Sequence, residues 1–311
     1  YIEDYEYEGL KNNLSKNNIY LGKVSRVEPS LQAAFVDFGK DKHGFLSFND
    51  IQSDYYQIPQ SDLTKIKEEE ERAREELQRE SEKEEEKNIN DGNLDINDPV
   101  NVKLDSDIDI ITSDTQSNDE KIISENSSQE INLIKPKRSG PRLRLKRYKI
   151  QEVIKPNQVI LIQVLKDERG QKGAALSTFI SIAGKYIVLM PNTPKGGGIS
   201  RKIFNPGDRQ KVRTILNDIS IPKEMGLIVR TAGSNKTKND IDHDLQALIK
   251  TWNEIKETAL NSIAPALIHQ ESDIIKRTLR DMYDEDTNNI VVEGNEGYKK
   301  AQNFMKMMMP S

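Results

Sequence analysis

The sequence predicts an α+β multidomain protein: a five-stranded β-barrel, interrupted by a long acidic insertion and followed by an α/β segment. Short strands separated by tight turns fill residues 18–48, and strand character returns at residues 158–165 and 173–180. Charged and polar residues dominate the stretch between these two blocks. From residue 239 onward, apolar residues recur at helical spacing. These observations place an insertion inside a barrel and helices after it.

Composition limits the class of protein. Of the 311 residues, 35% are hydrophobic and 31% are charged, which indicates that part of the chain is disordered. The absence of cysteine excludes disulfides and zinc sites with thiolate ligands, and His43, His243 and His269 are too scattered to suggest a metal site. No apolar run approaches the roughly eighteen residues of a membrane span. The first residues are acidic, unlike a signal peptide, so we expect a cytoplasmic protein.

The net charge of −5 conceals a strong asymmetry. Residues 68–134 carry −15, so the remainder of the chain carries +10. Eight of these positive charges lie in residues 135–149, which contain no acid. Such an excess favours a polyanionic partner, with nucleic acid the leading candidate. The alternative is a solvated linker whose basic end neutralises its acidic neighbour.

Alternation along the second and third predicted strands assigns side chains to the two faces of the barrel. In QAAFVDFG, Val36 and Phe38 share one face, and Phe35 shares the other with Asp37. Phe45 likewise falls beside a polar neighbour in HGFLSF. A phenylalanine on the wetter face of a barrel is a candidate platform on which an unpaired base stacks. Alternatively, a loop or a second domain covers that face.

The stretch at residues 68–134 is predicted to be an insertion and not a linker between domains. Residues 68–87 are charged at nearly every position without an apolar stripe, and residues 88–134 are rich in Asn, Asp and Ser, which favours disorder. Strand character resumes afterwards, so the insertion falls between the third and fourth barrel strands. A long loop there costs little closure entropy.

The segment after the barrel combines strands with glycine-rich loops. FISIAGKYIVLMPNTP predicts strand structure interrupted at Gly184, and PKGGGISRK predicts a mobile basic loop because it lacks the Gly-Lys-Ser/Thr ending of a phosphate loop. In GLIVRTAG, glycines bracket an apolar run, so Arg230 and Thr231 stand side by side where a buried strand meets a loop. Binding sites commonly occupy such positions.

Helices are expected towards the end of the chain. An apolar stripe predicts an amphipathic helix over residues 239–261. A second helix is predicted over residues 272–283, followed by a strand at NIVVEG, and the final segment is compatible with a helix whose methionines meet no partner within this chain. The residues expected to point inward from the second helix are Ile274, Ile275, Leu279 and Met282.

Several strings in this sequence resemble the amino-terminal half of the catalytic region of the ribonuclease E/G family. They are NIYLGKVSRVEPSLQAAFVDFGKDKHGFL, KDERGQKGAALSTFISIAGKYIVLMPN, GGGISRKI, GLIVRTAG and LIHQES, in order and with matching spacing. The resemblance covers nearly all of the chain outside the acidic insertion. It implies an OB-type RNA-binding barrel, a sensor for a monophosphorylated RNA 5′ end and part of a ribonuclease-H-like subdomain. The implied boundaries are 1–17 for a partial ribonuclease-H-like segment, 18–66 and 141–177 for the two parts of the barrel, 67–140 for a disordered acidic then basic insertion, 178–273 for the 5′-monophosphate sensor and 274–311 for a partial ribonuclease-H-like subdomain.

The resemblance assigns a phosphate pocket to the end of the GLIV strand. It implies that Arg230 and Thr231 donate hydrogen bonds to the terminal phosphate. Gly184 with its accessible backbone amide and Val188 with its side chain then complete the pocket and support the first base or sugar. A pocket built for one phosphate rejects a triphosphate by size and by charge. The alternative for Arg230 is a structural salt bridge with a nearby acid.

The same resemblance implies RNA contacts elsewhere in the chain. It favours base stacking on Phe35 and Phe45, a phosphate contact by Lys172, and further backbone contacts by Lys166 and Arg201. Such contacts set affinity and its salt dependence, whereas sequence preference comes from bases splayed out in single-stranded RNA.

Catalytic and metal-binding residues are not expected in this chain. Family members cleave RNA with magnesium held by two aspartates in a later deoxyribonuclease-like subdomain, and some hold zinc between subunits with a cysteine pair. The sequence contains no segment resembling that subdomain and no cysteine. The acids Asp281, Asp284 and Asp286 match no family metal ligand.

Two functions are compatible with this pattern. In the first, the chain is part of an endoribonuclease that binds single-stranded RNA, senses its 5′ end and acts in RNA processing and decay, including mRNA decay and rRNA processing. Cleavage then requires a complementing carboxyl-terminal catalytic part, and the full-length protein could form a homo-oligomer. In the second, a stand-alone RNA-binding module occupies 5′-monophosphate ends without cutting them.

Overall fold

A computed structural model of the protein describes residues 15–69, 72, 148–193, 198–222, 224–271, 273–283 and 286–308. Most of the predicted insertion at 67–140 and of the predicted first segment at 1–17 lies outside these residues. So do residues 194–197 of the predicted basic loop and most of the basic run at 135–149. No helix in the described part is long and apolar enough to cross a membrane.

Five strands close into a mixed β-barrel. β1 (Ile19–Glu28), β2 (Ala33–Asp37) and β3 (Gly44–Ser47) form an antiparallel meander. β3 then pairs in parallel with β5 (Ala175–Ser177), while β4 (Val159–Lys166) pairs with both β5 and β1 and so closes the barrel. The strand order β1-β2-β3-β5-β4 is OB-like, and the prediction of a five-stranded barrel is confirmed.

The barrel core follows the predicted alternation. Val36, Phe38 and Leu46 are buried inside it, together with residues of the short helix α2 (Ile150–Val153). The described residues 60–69 form a helix, α1, after the third strand. The phenylalanines between the buried positions are only partly covered, so the outer face of the barrel stays accessible at this point.

A second sheet of four strands follows the barrel. β6 (Ile182–Ala183), β7 (Ile187–Met190), β8 (Gly198–Ile199) and β9 (Gly226–Val229) lie in the order β6-β7-β9-β8. The predicted break at Gly184 separates β6 from β7, which confirms the interruption of this strand.

Two helices accompany the second sheet. α3 (Pro206–Asp218) was not expected, although its start carries a clear signal: the Asn205 side chain accepts a hydrogen bond from Gly207 N, and proline occupies the first helical position. α4 (Lys238–Leu260) begins at Thr237 with a reciprocal capping box to Asp240. The apolar stripe of α4 packs into the core of this sheet, so the predicted helix is confirmed.

The last described elements depart from the prediction in several respects. β10 (Ala266–His269) pairs with β1 and extends the barrel sheet, although no strand was predicted there. α5 (Ile274–Met282) buries Leu279, but Met282 is 49% exposed because it ends the helix, so its inward assignment was wrong. The strand predicted at NIVVEG is absent from residues 289–294, where Val291 is 93% exposed. β-branched residues favour a strand only where neighbours cover them.

The final segment forms a helix, α6 (Asn295–Met308), as the sequence suggested. α6 packs against α5 and α4 and buries Ala301. The helix therefore has partners within the chain. Of the methionines expected to meet none, Met305 is half-buried, Met307 is 38% exposed and Met309 lies outside the described residues.

Candidate functional site

Aromatic and cationic side chains lie in one row across the outer face of the barrel. Arg26 on β1 is opposite Phe35 on β2, and Phe35 is opposite Phe45 on β3. Phe45 is opposite Ala175 on β5, which in turn is opposite Lys166 on β4. Cross-strand neighbours on one face touch or nearly touch. We call Arg26, Phe35, Phe45 and Lys166 the aromatic row; it brings three of the predicted RNA-binding residues together.

The two phenylalanine rings in the aromatic row pack edge to face. Their centroids are 6.0 Å apart with an interplanar angle of 75°. The Arg26 guanidinium carbon lies 4.4 Å from the centroid of the Phe35 ring, within the range of a cation–π contact. Both rings are half-buried, while the two cations are exposed. Arg26 was not singled out from the sequence, because a bulge in β1 shifts its register against β2.

Lys172 lies on the hairpin between β4 and β5. Arg169 and Lys172 close this hairpin with two backbone hydrogen bonds of 3.1 and 3.0 Å, and the Lys172 side chain is exposed. A Cβ atom at Gly173 would overlap the carbonyl oxygen of His43, next to β3. Glycine therefore allows the hairpin to lie against the strand that carries Phe45.

The predicted phosphate-pocket residues converge at one end of the second sheet. β8 and β9 run parallel, so Arg201 and Arg230, which follow these strands, leave the sheet at the same end. β7 runs antiparallel to β9, and Gly184 lies in the turn before it. The backbone amide of Gly184 donates to the carbonyl oxygen of Ile187 at 2.8 Å, so the expectation that this amide is accessible to a phosphate was wrong. Thr231 opens the 3-10 turn after Arg230 and is exposed. Val188 lies within β7 and is half-buried between two buried neighbours.

The Arg230 guanidinium is held on two sides. Its Nη1 donates to the carbonyl oxygens of Gly184 at 2.7 Å and of Lys185 at 3.4 Å. Its Nη2 donates to Oδ1 of Asp281, on α5, at 2.7 Å. The salt bridge considered as the alternative role of Arg230 is therefore present. A guanidinium has five N–H groups, so the Nε hydrogen and one Nη2 hydrogen take no part in these three bonds.

Asp244 on α4 organises the turn that holds Arg230. Its carboxylate accepts hydrogen bonds from the backbone amides of residues 185–187, at distances between 2.8 and 3.3 Å. A Cβ atom at Gly184 would lie 2.5 Å from Oδ2 of Asp244, so the turn requires glycine. Burial raises the pKa of the Asp244 carboxyl, while the backbone hydrogen bonds and the charge of Arg230 oppose this rise.

Asp281 bridges two arginines. Arg280 donates to both of its carboxylate oxygens, from Nε at 3.1 Å and from Nη2 at 3.0 Å. The Nη1 of Arg280 also donates to Glu271 at 2.5 Å, and Glu271 lies 3.3 Å from Nε2 of His269. Partial burial acts to raise the pKa of Asp281, but hydrogen bonds from Arg280 and Arg230 hold this pKa below its usual value.

The acidic group noted in the sequence does not form a metal centre in the part of the chain that the structure describes. Asp281 is committed to the arginines, Asp286 is exposed, and Asp284 lies outside the described residues. Nowhere among the described residues do three His, Asp or Glu side chains converge in a way that could hold a metal ion.

A cavity of about 220 Å³ opens beside the Asp281 network. Its lining includes Gly184 and Asp244 from the turn, Arg280 from the network, and Phe304 and Met307 from α6. The cavity therefore lies between the last helix and the turn at Gly184.

Sequence comparison finds relatives along most of the chain. A profile of the Ribonuclease E/G family matches residues 181–311. The chain is 31% identical to Ribonuclease E of Haemophilus influenzae over 99% of its own length and 24% of that protein. It is 33% identical to Ribonuclease E of Escherichia coli over 94% of its length and 20% of that protein. A Nostoc Ribonuclease E is 40% identical over 54% of this chain and 24% of its own length.

These relatives are much longer than the region they share with this chain, which spans about a quarter of their length or less. The region shared with the Haemophilus influenzae protein nevertheless contains both the OB-like barrel and the second sheet with its turn at Gly184. With the sequence strings, the barrel topology and the family profile in agreement, the chain belongs to the ribonuclease E/G family.

Proposed function

We propose that this chain supplies RNA binding and 5′-monophosphate sensing to a ribonuclease E/G-type endoribonuclease, which cleaves single-stranded RNA in RNA processing and decay. The observation that carries the proposal is the convergence of Arg230, Thr231, Gly184 and Val188 at one end of the second sheet. Names of the relatives support the nuclease class, and the geometry of this sheet end supports the sensing role.

A terminal phosphate suits the groups that remain available at this sheet end. Arg230 keeps two N–H groups outside its three existing bonds, and these can donate to two phosphate oxygens. The exposed hydroxyl of Thr231 is the next donor along the chain. Because carbonyl oxygens of the turn already fix the guanidinium, little side-chain entropy is lost on binding. An RNA with a 5′ hydroxyl offers no comparable acceptor.

The aromatic row supplies the second contact with RNA. Bases of any sequence can stack on the half-buried rings of Phe35 and Phe45, and each such stack is worth about 1–3 kcal/mol. Exposed cations at both ends of the row, with Lys172 on the neighbouring hairpin, attract the phosphate backbone. Arg201 extends the same attraction at the sensor end of the second sheet.

We assign cleavage to a complementing carboxyl-terminal catalytic part and not to this chain. Magnesium binds oxygen ligands, mainly carboxylates, and the described residues offer no converging set of them. The cysteine ligands of a zinc site are absent from the sequence. The described residues therefore bind and orient RNA in this proposal, and we derive no cleavage step from them.

The test is the binding of one short single-stranded RNA carrying either a 5′ monophosphate or a 5′ hydroxyl, with magnesium present to score cleavage. We expect tighter binding of the monophosphate and loss of this preference in Arg230→Ala. Lys211→Ala is the matched control, because it removes one positive charge from an exposed ion pair on α3. It should leave the preference intact.

The outcomes separate the parts of the proposal. Equal binding of both RNAs by the unmodified chain would contradict the sensor. A preference that survives in Arg230→Ala would assign it to other residues. RNA cut by this chain alone would contradict the assignment of cleavage to residues elsewhere.

A further inference from the structure

We infer that Asp281 is a specificity-determining residue of the proposed sensor. Its carboxylate binds Arg230 in the absence of RNA. Its negative charge limits how much negative charge a 5′ end can carry when that end displaces Asp281 from Arg230 or binds beside it. The inference rests on the proposed function, because it concerns the same guanidinium.

The geometry makes Asp281 a competitor for the phosphate. Its Oδ1 accepts a hydrogen bond of 2.7 Å from Nη2 of Arg230, the kind of contact that a phosphate oxygen would make. Any phosphate bound at Arg230 must either displace this carboxylate or share the guanidinium with it. A phosphate that shares the guanidinium through Nε and the second Nη2 hydrogen leaves the Arg230–Asp281 bond in place, but it then lies beside the carboxylate of Asp281.

Arg280 prevents Asp281 from moving far. It holds both carboxylate oxygens of Asp281, at 3.1 and 3.0 Å, and is itself fixed by Glu271. The Arg280 side chain is only 12% exposed, so this support is largely shielded from water. The negative charge of Asp281 consequently remains beside the pocket even after a phosphate has taken Nη2 of Arg230.

The effect of this fixed charge depends on the ligand. A 5′ hydroxyl leaves the Arg230–Asp281 pair intact and experiences little repulsion. A monophosphate gains Arg230 but stands next to Asp281, and a triphosphate brings more negative charge to the same place. A like charge a few ångströms away disfavours the more highly charged ligand most, which is discrimination by repulsion. Asp281 would thus limit affinity for a monophosphate and reject a triphosphate more strongly.

The carbonyl anchors indicate that Asp281 is not needed to position Arg230. The Gly184 oxygen holds Nη1 at 2.7 Å, and its own position is set by the turn that Asp244 caps. In Asp281→Asn, the amide oxygen can still accept from Nη2, whereas the charge is removed. This substitution separates the electrostatic role from a positioning role.

The test uses the full chain and the same short single-stranded RNA with a 5′ hydroxyl, monophosphate or triphosphate. We expect Asp281→Asn to raise affinity for the monophosphate about tenfold, to raise triphosphate affinity by a larger factor, and to leave the hydroxyl RNA unchanged. Asp242→Asn, an exposed acid on α4, is the charge-matched control and should shift all three affinities alike and only slightly. If Asp281→Asn does not fold, Asp281→Ser carries the same expectations.

Failure of this inference is distinguishable from failure of the proposed function. Suppose that the unmodified chain prefers the monophosphate, that Arg230→Ala abolishes the preference, and that Asp281→Asn binds no RNA more tightly. The proposed sensor is then supported, and the inference about Asp281 is refuted. Equal gains for all three RNAs would also overturn it, since a general charge effect would then suffice. If the unmodified chain shows no preference at all, the proposed function fails first.

Discussion

Gly184→Ala is the substitution for which the structure predicts a cost most directly. The new Cβ atom would lie 2.5 Å from Oδ2, 2.6 Å from Oδ1 and 2.8 Å from Cγ of Asp244. Asp244 is buried and cannot retreat without giving up its hydrogen bonds to the backbone amides of residues 185–187. We therefore expect the turn before β7 to distort or the carboxylate to shift.

The size of this effect follows from two contributions. Forcing an extra methyl group into a packed site costs about 1–3 kcal/mol. Weakening one hydrogen bond from an amide to a buried carboxylate adds about 1.5–3 kcal/mol. The site can relax, so the packing cost and the hydrogen-bond cost do not add in full. We therefore expect Gly184→Ala to lower the free energy of unfolding by about 3 kcal/mol.

Urea unfolding followed by tryptophan fluorescence measures this loss. Trp252 is the single tryptophan of the sequence and lies buried on α4, the helix that carries Asp244. Gly198→Ala is the matched control, because no atom lies within 4 Å of a Cβ placed at Gly198 on β8. It should change the free energy of unfolding by less than about 0.5 kcal/mol.

A double-mutant cycle tests the reasoning itself. Asp244→Ala removes the atoms that the new methyl group would meet, so Gly184→Ala should cost less than about 0.5 kcal/mol in that background. Additive costs of the two substitutions would refute the argument. An equal loss of stability in Gly198→Ala and Gly184→Ala would also refute the argument.

We make four further predictions, three from the structure and one from the charge of residues 68–134. Phe35→Ala and Phe45→Ala should each weaken single-stranded RNA binding by about 1–3 kcal/mol, equally for both 5′ ends, in fluorescence anisotropy; a loss confined to one 5′ end would contradict base stacking. Lys166→Ala should reduce the slope of log affinity against log salt by about 0.7, which titrations at several salt concentrations would measure; an unchanged slope would exclude a phosphate contact. The folded-state pKa of Asp281 is lowered, so its stabilising contribution is present above the unfolded-state pKa of about 3.9 and is lost as pH falls through the folded-state value. Urea unfolding should therefore show a stability difference between Asp281→Asn and the unmodified chain at pH 7 that shrinks at pH 3; a constant difference would argue against ionisation as its cause. Deleting residues 68–134 removes a charge of −15 and should tighten RNA binding at low salt, whereas unchanged affinity would show that this stretch does not compete with RNA.

The predictions that succeeded depend on local patterns. The period of two in QAAFVDFG placed Val36 in the barrel core and Phe35 on its outer face, and the spacing of three and four produced α4. Such patterns are reliable because an element that buries one face needs apolar residues at the same spacing along its whole length. NIVVEG shows the limit: its residues suit a strand, but residues 289–294 do not form one.

One buried acid of the candidate site is visible in the sequence alone. Asp244 falls on the apolar stripe of α4, between Ile241 and Leu248, where an acid is unexpected. Buried carboxylates are usually hydrogen-bonded, so a structural or functional partner could have been anticipated. The sequence could not name that partner, because the turn at residues 185–187 lies nearly sixty residues earlier in the chain.

By itself, the sequence determined the five barrel strands and their faces, the helix α4 and the family. The strands, their faces and the helix follow from the spacing of apolar residues within a few tens of residues. The family follows from whole sequence strings that match it. Only the tertiary structure decided that Arg26 joins the aromatic row, that β10 extends the barrel sheet and that Asp281 holds Arg230. These contacts join residues that a bulge shifts or that lie far apart in the chain. Their geometry exists only after strands have paired and helices have packed, so no local pattern records it.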